Sequence, residues 1–180
     1  VKEINPISGS LMPPPGGVPF EADPSRWVSI GGTLFFSADD GTGHDLWKSD
    51  GTELGTVMVK DFSPGMGLPS FLTDVDGTLY FSAGDGSNGN ELWKSDGGEA
   101  GTALVKDINS GSLGSEPSYL TNVNGTLYFT VNDASFNYDL WKSNGTDAGT
   151  VLVKDNIWIS SQLGCWGLPR ANNGVFFFAE

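Results

Sequence analysis

One cysteine, Cys165, and one histidine, His44, are all that 180 residues hold of either type. A lone cysteine excludes an internal disulfide framework and a thiolate zinc cluster. A lone histidine excludes a multi-histidine metal site and leaves Ser-His-Asp chemistry a single candidate base. Positive charge is scarce too: 9 Lys and Arg stand against 22 Asp and Glu, for a net charge of −13. A phosphate backbone is bound by Lys and Arg that displace its counterions, so nucleic acid is not the expected partner. No apolar run reaches the roughly 18 residues of a membrane-spanning helix. The chain opens at Val1 with neither methionine nor a charged-then-apolar leader, as a processed product or a piece of something longer would.

Glycine and proline are plentiful, at 26 and 10 residues. They disfavour long helices and favour short strands joined by turns. With 38% hydrophobic and 12% aromatic residues, the chain has the material for a core and is no disordered acidic tail.

An internal repeat organises the whole sequence. DLWKSDGTELGTVMVKD (45–61) recurs as ELWKSDGGEAGTALVKD (91–107) and as DLWKSNGTDAGTVLVKD (139–155). Between these blocks run GGTLFFSADDG from Gly31, DGTLYFSAGDG from Asp76 and NGTLYFTVNDA from Asn124. A shorter version, NGVFFFAE, follows from Asn173, and the initial VKEI matches the end of a block. Each unit of roughly 47 residues carries four strand candidates, a to d, which in the third unit are 119–123, 126–131, 138–143 and 150–155. Asn124-Gly125 and Asn144-Gly145 supply the positive φ that tight hairpin turns need. Strand b is apolar on consecutive residues (Leu127, Tyr128, Phe129), as is strand d (Val57, Met58, Val59), which predicts cover on both faces.

Four antiparallel strands per unit, each sheet covered by its neighbours, predict an all-β chain of β-propeller blades. The whole chain, 1–180, reads as a single repeat domain. Residues 1–5 end a preceding blade, 26–61, 71–107 and 118–155 are blades, and 168–180 start another. The order d, then a to d three times, then a and b lacks one strand c for four complete sets. The chain is therefore expected to be part of a longer propeller or repeat array, with compact four-bladed closure as the alternative.

The ELWKSDGGEAGT-type units resemble the ELWxxDGT repeats of large bacterial secreted or surface proteins. The resemblance runs in register along nearly the whole chain. It implies a propeller-like fold and a secreted or extracellular-surface location, and says little about activity.

In a propeller, strand a is innermost, and the b–c loops share one face with the d–a crossovers. The opposite face, with its near-invariant SDGTELGT-type turns, is expected to be structural. On the varying face, Asp39, Asp40, Asp85 and Asp133 make acidic, glycine-rich loops that offer oxygen ligands to Ca²⁺, although the full calcium-loop spacing is missing. Solvated hairpin turns explain the same residues, and no cofactor is required. Two crossovers depart from the pattern. One carries Pro13-Pro14-Pro15, and the other carries Trp158 and Trp166, whose indoles either bind a partner or plug the fold. The repeated Trp47, Trp93 and Trp141 either fill the space between blades or form one sugar site per blade.

No nucleophile elbow, phosphate loop or HExxH motif occurs, and adjacent carboxylates such as Asp39 and Asp40 do not establish a glycosidase pair. The expected function is a non-enzymatic secreted or cell-surface recognition module, binding a glycan or an extracellular protein on its variable face. The alternative is a structural repeat subunit of a large extracellular assembly, whose partners are further copies or chains of that assembly. Lys60, Lys106 and Lys154 in VKD are expected to pair with the adjacent Asp and blunt an outer edge strand. Asn124-Gly-Thr and Asn144-Gly-Thr fit glycosylation sequons, but the same residues are the ones the hairpins require.

Overall fold

The structure, a computed structural model, describes residues 26–62, 67–112, 114–132 and 138–157. Twelve strands form three four-stranded antiparallel sheets, each a meander of sequence neighbours. The first sheet holds β1 (Trp27–Ile30), β2 (Thr33–Asp39), β3 (His44–Ser49) and β4 (Val57–Lys60). The second holds β5 (Ser70–Val75), β6 (Thr78–Gly84), β7 (Asn90–Ser95) and β8 (Ala103–Lys106). The third holds β9 (Ser118–Val123), β10 (Thr126–Asn132), β11 (Tyr138–Ser143) and β12 (Val151–Ile157). The expected strands of the third unit lie within a residue or two of these bounds.

The first turn of every sheet follows from its dipeptide. Gly31-Gly32, Asp76-Gly77 and Asn124-Gly125 have positive φ at both residues, the geometry of a two-residue hairpin turn matched to strand twist. The third turn closes on its own atoms. Ser49 and Thr56 hydroxyls pair at 2.8 Å, as do Ser95 and Thr102 and Ser143 and Thr150 at 2.7 Å. Asp50 and Asn144 each accept the backbone N–H and hydroxyl of the Thr two residues on.

First strands of neighbouring sheets lie against one another, β1 on β5 and β5 on β9. One apolar cluster fills each seam. Leu46, Val59 and Phe62 of the first unit meet Leu79, Phe81 and Trp93 of the second. Tyr80, Leu92 and Val105 of the second meet Leu127, Phe129 and Val131 of the third. In the middle sheet Leu79, Tyr80 and Phe81 are all buried, so consecutive apolar residues in the second strand do mean cover on both faces.

The fourth strand corrects that inference. Val59 is buried, but Met58 is half-buried and Val57 exposed. The pairing register shifts at every Leu-Trp step, between Leu46 and Trp47, Leu92 and Trp93, and Leu140 and Trp141. A bulge there breaks the strict alternation of sides, so a consecutive apolar run no longer implies two covered faces.

Crossovers and second hairpin loops share one face. Gly84 N–H donates to the Gly67 carbonyl and Asn132 N–H to that of Ser115, which fastens each crossover to the end of the next sheet's second strand. Ser115 and Glu116 N–H both donate to the Asn90 carbonyl, which ties the second crossover back to the preceding sheet.

Candidate functional site

Of the residues singled out in the sequence, Trp158, Trp166 and Asp133 lie outside the described residues, as do the proline cluster and Cys165. Trp47, Trp93 and Trp141 occupy the same position on β3, β7 and β11, one per sheet. Trp47 and Trp93 are buried and Trp141 half-buried. The Trp93 ring stands edge-on to Phe62 of the preceding unit, with centroids 5.1 Å apart at 87°, and Lys60 Nζ lies 5.6 Å from its centre. Trp141 packs against the apolar cluster of the second seam. The indole N–H groups of Trp93 and Trp141 find no acceptor, so no hydrogen bond holds these rings.

The three described loop carboxylates are engaged locally. Asp39 Oδ1 accepts the Gly41 N–H at 2.7 Å. Asp40 Oδ1 accepts the Thr42 hydroxyl and N–H, and these bonds, the hydroxyl first, hold its carboxyl below the usual value. At Asp85, partial burial pushes the other way. Bonds from Ser87 and Asn88 outweigh it and lower the carboxyl's pKa. Among the described residues, no three His, Cys, Asp or Glu side chains gather as a metal site. No helix among them is long and apolar enough to cross a membrane.

An open notch of about 340 Å³ sits where the third turn of the second sheet meets the first sheet, lined by Phe35, Lys48, Asp50 and Asp96 among others. Its polar side chains already serve the fold. Lys48 Nζ donates to the Gly97 carbonyl at 2.7 Å, Asp50 Oδ1 takes Thr52, and Asp96 Oδ1 takes the Gly98 N–H.

Two sets of residues escaped the sequence reading. The first residue of each DLW or ELW triplet binds backbone at or beyond the end of its sheet's fourth strand. Asp45 accepts the Phe62 N–H at 2.8 Å and Asp139 the Asn156 N–H at 2.9 Å. Glu91 accepts Ile108 N–H, Asn109 N–H and the Ser115 hydroxyl. The available signal was an acid at one fixed place in three strands, where a half-buried strand has no use for charge unless it is bonded. The second set is Phe71 and Tyr119, both at φ 56°, whose rings meet at 5.7 Å. Non-glycine residues adopt that conformation only where their surroundings impose it.

The VKD lysines behave differently from one another. Lys154 pairs with the adjacent Asp155 at 3.6 Å as expected. Lys106 instead reaches Asp147 of the next sheet at 3.1 Å, and Lys60 lies over Phe62 and Trp93. In both, the ammonium serves the seam to the following sheet.

No protein-family model matches the chain, and no curated protein matches it.

Proposed function

We propose that this chain is a non-enzymatic structural repeat subunit of a secreted or cell-surface assembly. In this reading its three sheets are consecutive blades of a β-propeller, within a longer propeller or repeat array of the ELWxxDGT kind. The observation that carries the proposal is the recurrence of one seam. Lys48 to Gly97 and Lys94 to Gly145 are the same bond made twice, between the same two positions of successive units. Side chains repeated from unit to unit are spent on turns, crossovers and seams: the serine–threonine pairs, the strand-opening acids, the tryptophans and the lysines. A repeat whose shared chemistry is internal is selected for stacking on its own kind. The sequence of first strands β1, β5 and β9, each on the next, supports the blade arrangement.

A second reading, recognition of a glycan or extracellular protein, is favoured by the face where crossovers and second loops meet. There the second loops, 40–43 and 85–89, differ in length and in the residues that follow the shared Asp40 and Asp85 position. A glycan array probed with the chain separates the two. The repeat-subunit reading expects no glycan retained above background. Retention that is lost when Asp39, Asp40 and Asp85 become alanine overturns it in favour of recognition.

A further inference from the structure

Asn-Gly occurs at 88–89, 124–125, 144–145 and 173–174, the last outside the described residues. The pair carries a reaction of its own, because glycine, with no side chain, lets its backbone nitrogen reach the asparagine carboxamide. The three described pairs are held very differently. Asn144 Oδ1 accepts the N–H and the hydroxyl of Thr146 at 3.1 and 2.7 Å, and the carboxamide lies against Gly149. Gly145 is buried, and its N–H donates to the Ser143 hydroxyl at 2.9 Å. Asn88 is half-buried, its Nδ2 donating to Asp85 Oδ2 and its N–H to Asp85 Oδ1, both at 3.1 Å. Asn124 is exposed in the turn between β9 and β10, and its side chain makes no hydrogen bond among the described residues. Only the Gly125 N–H is engaged there, by Oδ1 of the exposed Asn122 at 3.0 Å.

We propose that Asn124 is a self-modification site of the folded protein. The Gly125 backbone nitrogen attacks Asn124 Cγ, a C–N bond forms, and the Cγ–Nδ2 bond breaks. The leaving nitrogen takes the Gly125 proton and departs as ammonia, which leaves a cyclic imide. Water then opens that ring at either carbonyl, giving aspartate or isoaspartate, and either product adds one carboxylate to the turn. The second unit shows that the fold accepts the aspartate. Asp76 fills the same turn position at the same φ of 51°, and the Gly77 N–H bonds Asp74 Oδ1 at 2.8 Å as Gly125 bonds Asn122. Isoaspartate instead carries the chain through the side-chain carboxyl and lengthens a two-residue turn. Beside that turn Asn122 Nδ2 crosses the second seam to the Asp74 carbonyl at 3.0 Å, so the isoaspartyl form is expected to loosen this end of the seam.

The site is independent of the repeat-subunit reading, and peptide mapping tests it. The full 180-residue chain is incubated folded in mildly alkaline buffer, and its proteolytic fragments are followed by mass spectrometry for the change from amide to acid. Asn124 is expected to convert at least about tenfold faster than Asn88 or Asn144, the rate factor that one further unbroken hydrogen bond is worth. A parallel incubation in urea removes the fold, and there the three pairs are expected to convert at comparable rates. Conversion of Asn88 or Asn144 that keeps pace with Asn124 in the folded chain overturns the assignment, as does an Asn124 that stays intact. A tenfold preference for Asn124 that persists in urea overturns it too, since the fold would then not be its cause.

Discussion

Lys94 sends its ammonium across the second seam to the carbonyl oxygen of Gly145, 2.8 Å away and 51 residues on in the chain. The acceptor is buried and the donor half-buried. Removing the donor leaves a desolvated carbonyl without a partner. Lys94→Met is therefore expected to cost about 1.5–3 kcal/mol in urea denaturation. Lys142→Met, the same change at an exposed site, is expected to stay within about 0.5 kcal/mol in dilute solution. Equal effects at the two positions would refute the assignment.

Gly145 has a second constraint. Its φ is +83°, and a Cβ built there runs into the Tyr80 hydroxyl. Gly145→Ala is expected to lose about 1–2 kcal/mol from the left-handed backbone alone, and more from the collision. Tyr80→Phe removes the obstructing oxygen, so the double variant recovers the collision part and keeps the backbone part. A thermal-melt double-mutant cycle measures that split.

Trp93 is a wedge between sheets. Trp93→Ala is expected to destabilise by about 3–5 kcal/mol, as large-to-small core changes do. Trp27→Ala, at a half-exposed ring on the end of the described array, is expected to cost a fraction of that. Chemical denaturation of the two variants side by side gives the comparison.

Glu91 should show itself in a pH profile. Burial raises its carboxyl above the ordinary 4.5, despite three hydrogen bonds that favour the charged form, and the charge of Asp107 adds to the rise. The folded state thus holds this proton more tightly than the unfolded chain does. Its contribution to stability is full below the unfolded value and is lost as pH rises through the folded one. Glu91→Gln removes the titration and turns an amide NH₂ toward N–H donors, at a cost of about 1–3 kcal/mol. The margin of wild type over variant is expected to be wider in mildly acidic than in neutral buffer.

Calcium is expected to leave the melting temperature unchanged. The nearer oxygens of Asp39, Asp40 and Asp85 already accept bonds within their own turns. An ion would have to displace those bonds and find further ligands. Calorimetric titration with Ca²⁺ checks this, and measurable heat with a raised melting point would contradict it.

What the sequence made legible is what local chemistry decides. Asn124-Gly125 announces a two-residue turn because few other pairs tolerate positive φ twice. Leu79, Tyr80 and Phe81 announce a strand covered on both faces because an unbroken apolar run in a regularly alternating strand puts large apolar groups on both of its sides. The bulge beside Trp47, Trp93 and Trp141 stayed hidden, because register belongs to a pair of strands and not to either one. The role of Asp45, Glu91 and Asp139 stayed hidden for a related reason. The amides they bind lie 17 or 18 residues ahead, at positions (Phe62, Ile108, Asn109 and Asn156) whose residues differ from unit to unit. Three identical tryptophans read as wedges, with binding platforms as the rival, until the neighbouring sheet is in place. For Trp158 and Trp166, which lie outside the described residues, both sequence readings stand.

Every strand of each sheet pairs only with strands adjacent to it in sequence, and each third turn closes with a hydroxyl pair seven residues apart. Little loop entropy has to be lost before such contacts form. Folding is therefore free to start in any of the three units and spread outward through the seams, which ties the speed of the process to the repeat and not to the length of the chain.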